Sequence, residues 1–133
     1  MPLILDASVA VAWFVGNQAS AYSDRVRRLA RRERVHVPAV WPLEFTNALW
    51  QLQRRKLLSE RHVDTIMDLV EPLDIVVHKE TPALRRLLTG ARDYRLSAYD
   101  ASYLELAFTL HYPVACRDGV LKDALRAAGL KLV

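Results

Sequence analysis

Four acidic residues stand where a carboxylate is free to do chemistry. Asp6 follows the apolar run Pro2–Leu5, and Glu44 lies just after the β-branched run Val35–Val40, in the first turn of a helix opened by Pro42. Asp100 falls in the first turn of a helix starting near Ser97, and Asp118 directly follows the run Pro113–Cys116. Each has an ordinary explanation when taken alone. Asp6 and Asp118 precede helices and suit N-caps, Ser97 to Asp100 fits a capping box, Asp118-Gly119 is a turn signal, and Glu44 favours a helix dipole. Capping does not require the four to converge. Carboxylates gathered on one rim repel each other unless a cation neutralises them. An all-oxygen set suits Mg²⁺, or Mn²⁺, with several waters retained. Such an ion activates water for hydrolysis of a phosphodiester.

The elements that must position these acids are legible as alternating patterns. Five short apolar runs, Pro2–Leu5, Val35–Val40, Leu73–His78, Pro113–Cys116 and Leu130–Val133, read as strands. Between them, apolar residues recur at helical spacing: Ala19, Tyr22, Val26, Leu29 and Ala30; Phe45, Ala48, Leu49 and Leu52; Val63, Ile66, Met67 and Val70 after a cap at Ser59. Thr81-Pro82 predicts a cap and first helical position ahead of Leu84, Leu87, Leu88 and Ala91. Ala101, Leu104, Ala107 and Phe108, then Leu121, Ala124, Leu125 and Ala128, complete the set. Strands separated by helices imply an α/β fold, a five-stranded parallel sheet with helices on both faces. In such a sheet every strand's carboxyl end opens on one rim, and ligands bind where the strand order reverses. If strands one and four are neighbours there, Asp6 and Asp118 face each other, with Glu44 and Asp100 aimed at the same rim. With 133 residues, no linker and no repeat, residues 1–133 read as one domain.

At these positions the chain resembles a known family. Ile4-Leu5-Asp6-Ala7-Ser8, Pro42 to Leu49, Tyr99 to Ala107 and Cys116-Arg117-Asp118 look like the four motifs of PIN-domain ribonucleases, and within them of VapC-type toxins of toxin–antitoxin pairs. The resemblance runs from residue 3 to the C-terminus. It implies a three-layer α/β/α fold and a Mg²⁺-dependent endoribonuclease that uses a metal-activated water and leaves a 5′-phosphate and a 3′-hydroxyl. It maps the family's catalytic and metal-binding acids onto Asp6, Glu44, Asp100 and Asp118. Its small hydroxyl residue maps onto Ser8 and its helix asparagine onto Asn47, which would orient the carboxylates by hydrogen bonds. It further implies a cognate VapB-like antitoxin that pushes a basic side chain into the acidic pocket, and a homodimer. One position departs from the pattern: the family commonly has Thr or Ser where this chain has Cys116. A thiol is a poor hydrogen-bond partner, so Asp118 is the weakest member of the set, and Asp123, one turn on, is its alternative.

Composition narrows the rest. Hydrophobic residues are 52% of the chain, too many for a disordered protein, and the single cysteine excludes a disulfide framework or a multi-cysteine zinc site. No run is long and apolar enough to span a membrane, and the N-terminus lacks the positive region of a signal peptide, so a cytoplasmic protein is expected. A net charge of +4 permits a nucleic-acid partner. Six arginines between residues 25 and 34, and the group Arg54, Arg55, Lys56 and Arg61, are either solvated helix faces or contacts for an RNA backbone. Trp13, Trp41, Trp50, Tyr99 and Tyr103 are core aromatics or stacking platforms for unpaired bases. Leu52, Leu57 and Leu58 are core residues or a groove for an antitoxin helix. The alternative to a nuclease is a non-catalytic RNA-binding or assembly module on the same fold. A phosphorylatable receiver switch is disfavoured, because the first run ends in one acid and the third in Val77-His78.

Overall fold

The computed structural model describes residues 1–133. The elements follow in the order β1 (Leu3–Leu5), α1 (Ala7–Ala12), α2 (Ala21–Arg32), β2 (Val35–Pro38), α3 (Trp41–Arg54), α4 (Glu60–Val70), β3 (Ile75–His78), α5 (Leu84–Tyr94), α6 (Ala98–Leu110), β4 (Val114–Ala115) and α7 (Val120–Ala127). The fold is α/β, with a parallel sheet in the order β3-β2-β1-β4. The chain builds outward from β1 through β2 to β3, then crosses back to place β4 on the other side of β1. The order therefore reverses between β1 and β4, directly above Asp6.

The sheet has four strands rather than the five expected. The run Leu130–Val133 makes one parallel bridge, Leu132 to Val114, supported by Val114 N–H to the Lys131 carbonyl at 3.0 Å and Val133 N–H to the Val114 carbonyl at 3.0 Å. Its partner β4 is only two residues long and the run itself spans four residues, so no ladder develops. β2 also ends earlier than its apolar run, because Val40 already caps α3.

Leu3, Ile4 and Leu5 are buried, as expected of a central strand covered on both faces. α1 packs against α2 and α3, and α3 against α4. α6 lies on β1 and β2, flanked by α5 and α7. Ser59 and Ser97 cap α4 and α6 as the sequence predicts, each accepting a backbone N–H three residues on. Thr81 does not cap α5, which starts at Leu84 with no side-chain cap. Leu84 and Leu88 are exposed rather than part of the core stripe; only Leu87 and Ala91 of that stripe turn toward the interior. No helix is long and apolar enough to cross a membrane.

Candidate active site

Asp6, Glu44 and Asp100 line one cleft of 460 Å³ at the carboxyl end of β1. Asp6 is fixed by the strand beneath it: its N–H donates to the Ala115 carbonyl of β4 at 2.9 Å. Asp6 is the N-cap residue of α1; its carboxylate makes no full capping bond, though the N–H groups of Ser8 and Ala7 at the helix start favour its charged form. Instead it accepts from the Ser8 hydroxyl at 2.5 Å. Glu44 sits one turn into α3 and accepts from the Tyr103 hydroxyl at 2.7 Å. Asp100 uses its backbone N–H for the Ser97 cap, at 3.1 Å, while the reciprocal half of a capping box is absent. Its carboxylate is thus left for the cleft.

The electrostatics of the three acids agree with their placement. Burial pushes the Asp6 carboxyl above its ordinary value, against the opposing pull of the Ser8 hydroxyl and of Arg117. Burial also raises Glu44; the Tyr103 hydrogen bond opposes the rise, and the carboxylates of Asp6 and Asp100 add to it. Asp100 is raised by burial and then by Asp6. Each acid therefore carries an unfavourable charge that an added cation would relieve. No three carboxylates or imidazoles close on a single point as a finished ligand cage. The donors instead surround a space, which suits Mg²⁺, an ion that commonly binds through one or two carboxylates and keeps several waters. All-oxygen donors with unused lone pairs fit such an ion chemically.

The other predicted positions lie apart. Asp118 does not line the cleft: its side chain is 90% exposed and pairs with Lys122 Nζ at 3.3 Å. Gly119, not Asp118, caps α7. Asp123 turns to Arg126 instead, at 3.8 Å. Asn47 is exposed on α3 and makes no bond to Glu44. At 100° per residue the cleft-facing stripe of α3 runs through Glu44, Ala48, Gln51, Leu52 and Arg55, and Asn47 lies about 60° to the far side of Glu44. Cys116 is buried, and burial, with Asp6 nearby, pushes its thiol up to about 12, so it stays protonated.

Among the aromatics, Tyr103, Trp13 and Trp41 are buried and offer no stacking face, whereas Trp50 and Tyr99 are exposed. Tyr103 is a core residue, one of its two expected readings, and it carries a hydrogen bond to the cleft that the sequence does not signal. It follows Asp100 by three residues on α6, so it shares that side of the helix, and its hydroxyl reaches both Glu44 and, at 3.4 Å, the N–H of Ala7. Arg55 and Gln18 are further cleft residues. Arg55 is recoverable from the sequence as three helical turns beyond Glu44.

A family model described as PIN domain matches residues 3–125. The chain is 29% identical over 112 residues to Ribonuclease VapC3 of Pyrobaculum aerophilum, covering 80% of this chain and 82% of that one. Two solved structures share the fold. VapBC2 from Rickettsia felis, bound to a DNA fragment from its promoter, superposes with a TM-score of 0.65 at 10% identity, covering 100% of this chain and 98% of that one. VapC20 of Mycobacterium tuberculosis, a Sarcin-Ricin loop cleaving toxin, gives a TM-score of 0.61 at 18% identity over 98% of both chains.

Proposed function

The chain belongs to the PIN-domain family, and from that premise we propose that it is a divalent-metal-dependent endoribonuclease, the toxin of a toxin–antitoxin pair. The observation that carries the reading is the cleft at the strand reversal, where three carboxylates repel one another around a common space. The ribonuclease name of the 29% identical relative supports the activity. The toxin and VapBC names of the structural neighbours support the partner class, a VapB-like antitoxin.

Asp6, Glu44 and Asp100 would hold the ion, Mg²⁺ or Mn²⁺. When bound, it supplies activation of water and neutralises charge on the phosphate. Ser8 orients Asp6, and Tyr103 orients Glu44. Burial and the two neighbouring carboxylates push the Tyr103 phenol far above its ordinary value, so it stays protonated and donates. Asp118, outside the cleft and paired with Lys122, would take no part in holding the ion, and Asn47 would take none in orienting Glu44. The homodimer expected of such toxins would draw on the leucines that α5 leaves exposed, Leu84 and Leu88.

The test is cleavage of RNA by the purified protein with Mg²⁺ or Mn²⁺, without metal, and with Asp6→Asn. Metal-dependent cleavage leaving 5′-phosphates, lost in Asp6→Asn, is expected. Cleavage by Asp6→Asn at the wild-type rate would overturn the reading.

A further inference from the structure

The three carboxylates set a charge problem that the cation alone does not solve. A divalent ion leaves one negative charge among them, and the scissile phosphate brings a second. Two more positive charges are needed before an RNA strand settles in the cleft without net repulsion. The chain holds fifteen arginines, and six of them are engaged away from the cleft. Arg27 lies over Phe14 and donates to the Trp13 carbonyl, Arg34 pairs with Asp74, Arg86 with Glu105, and Arg126 with Asp123. Arg25 lies over Tyr22 and Arg54 over Trp50.

One arginine lines the cleft and a second stands at its edge. Arg55 lines it at the C-terminal end of α3, exposed, with no ion pair or side-chain hydrogen bond. It ends the stripe that begins with Glu44, eleven residues and about 16 Å along the helix axis. Arg117 follows β4, and its Nη1 donates at 3.3 Å to Oε1 of Gln18, itself a cleft residue. Arg117 also acts electrostatically on the Asp6 carboxylate. The cleft thus has an acidic end and a basic end along α3, with a second guanidinium at its Gln18 edge.

We infer that Arg55 and Arg117 are the phosphate-positioning residues of this site. Arg117 holds the RNA backbone close to the acids, and Arg55 holds a phosphate further along the same strand. This rests on the nuclease reading and assigns within it which of the many arginines touch the substrate. A guanidinium suits the task because it stays charged and presents a fork of donors to phosphate oxygens. Contacts of this kind carry no base preference.

The experiment uses the full chain and a fluorescent twelve-nucleotide single-stranded RNA, with binding measured across a salt series in an Asp6→Asn background. Arg55→Ala and Arg117→Ala should each weaken binding about tenfold and lower the slope of log affinity against log salt by about 0.7, the release expected for one single-strand phosphate contact. In the cleaving protein Arg55→Ala should raise KM about tenfold with little change in kcat. Arg55→Lys should keep the salt slope. Arg92→Ala, on exposed α5 away from the cleft, should leave affinity and slope unchanged. A parent protein that binds this RNA with a salt slope indifferent to Arg55→Ala and Arg117→Ala overturns the arginine assignment alone. A parent protein that neither binds nor cleaves RNA overturns the nuclease reading, and this assignment with it.

Discussion

The Tyr103 hydroxyl donates to Glu44 Oε1 at 2.7 Å and so ties α6 to α3 across the floor of the acidic cleft. Hydrogen bonds to a charged partner contribute about 1.5–3 kcal/mol, and they also fix where the free carboxylate oxygen points. Tyr103→Phe keeps the ring in its buried slot and removes only this bond. The expected result is a folded protein whose cleavage rate falls roughly 10- to 100-fold, the range for groups that orient a metal ligand. Single-turnover kinetics beside a thermal melt will check it. An unchanged rate would mean Glu44 needs no such support.

Metal and pH should act on stability together. The folded carboxyls of Asp6, Glu44 and Asp100 are raised above their unfolded values. Their favourable contribution is therefore complete below the unfolded values near 4 and is lost as pH rises through the folded ones. At neutral pH the metal-free fold carries the full repulsion, and a divalent ion relieves it. Mg²⁺ at a hundred times its dissociation constant adds about 2.7 kcal/mol, a rise in Tm on the order of 10 °C for a chain of this size. Melts with and without Mg²⁺ at pH 7.5 and pH 4 should show that rise only at the higher pH. Equal shifts at both would refute the link.

Asp6→Asn and Asp118→Asn should separate. Asp6→Asn removes a cleft charge, so the metal-free protein should melt higher while cleavage falls at least about a hundredfold. Asp100→Asn should behave alike. Asp118 is exposed and held by Lys122, and its Asn variant should retain activity within about tenfold. Asp24→Asn, on exposed α2, is the control. Loss of activity in Asp118→Asn equal to that in Asp6→Asn would return Asp118 to the ligand set.

His36 and His78 meet at 2.8 Å between Nδ1 and Nε2 on adjacent strands, with Tyr112 against the His36 ring. Burial lowers the His36 pKa, and repulsion from His78 and Arg34 lowers it further. Stability from this group is present above the unfolded value of 6.5. As pH falls below that value the unfolded chain takes the proton first, and stability declines until the folded pKa is passed. Denaturant midpoints between pH 7.5 and 5 should fall in the wild type and fall less in His36→Gln. Parallel curves would dismiss the pair as a titrating element.

Leu57 is exposed in the turn after α3, whereas Leu52 and Leu58 are half-buried against the core. Leu57→Asp should weaken antitoxin binding at least about tenfold and leave the Tm within about 2 °C, since little apolar area is lost from the fold. Unchanged binding in a pull-down with the antitoxin would place that contact elsewhere.

The parallel sheet and the three converging acids were legible because they are local patterns: an apolar run, then an acid, then helical spacing. The two short strands were harder. β4 gains its place by pairing with β1, and Leu130–Val133 has the same composition as a strand but only one bridge to join. Asp118 follows its strand just as Asp6 does. It pairs instead with Lys122, one turn on, and nothing in the local pattern ranks that exposed position above the cleft. The Tyr103 hydrogen bond was missed for the opposite reason. Its partner lies 59 residues away, and only the packing of α6 on the sheet brings the two together.

The hydrogen bond from Asp6 N–H to the Ala115 carbonyl makes the cleft a product of long-range pairing. Asp6 is made before the strand that anchors it, with every other element but α7 between them. Asp100 and Tyr103 also arrive late. A chain that ends before β4 lacks the second neighbour of β1, and one that ends before α6 also lacks Asp100 and Tyr103. A fragment without β4 therefore cannot hold Asp6 in the cleft as the whole domain does, whatever else of the sheet has formed.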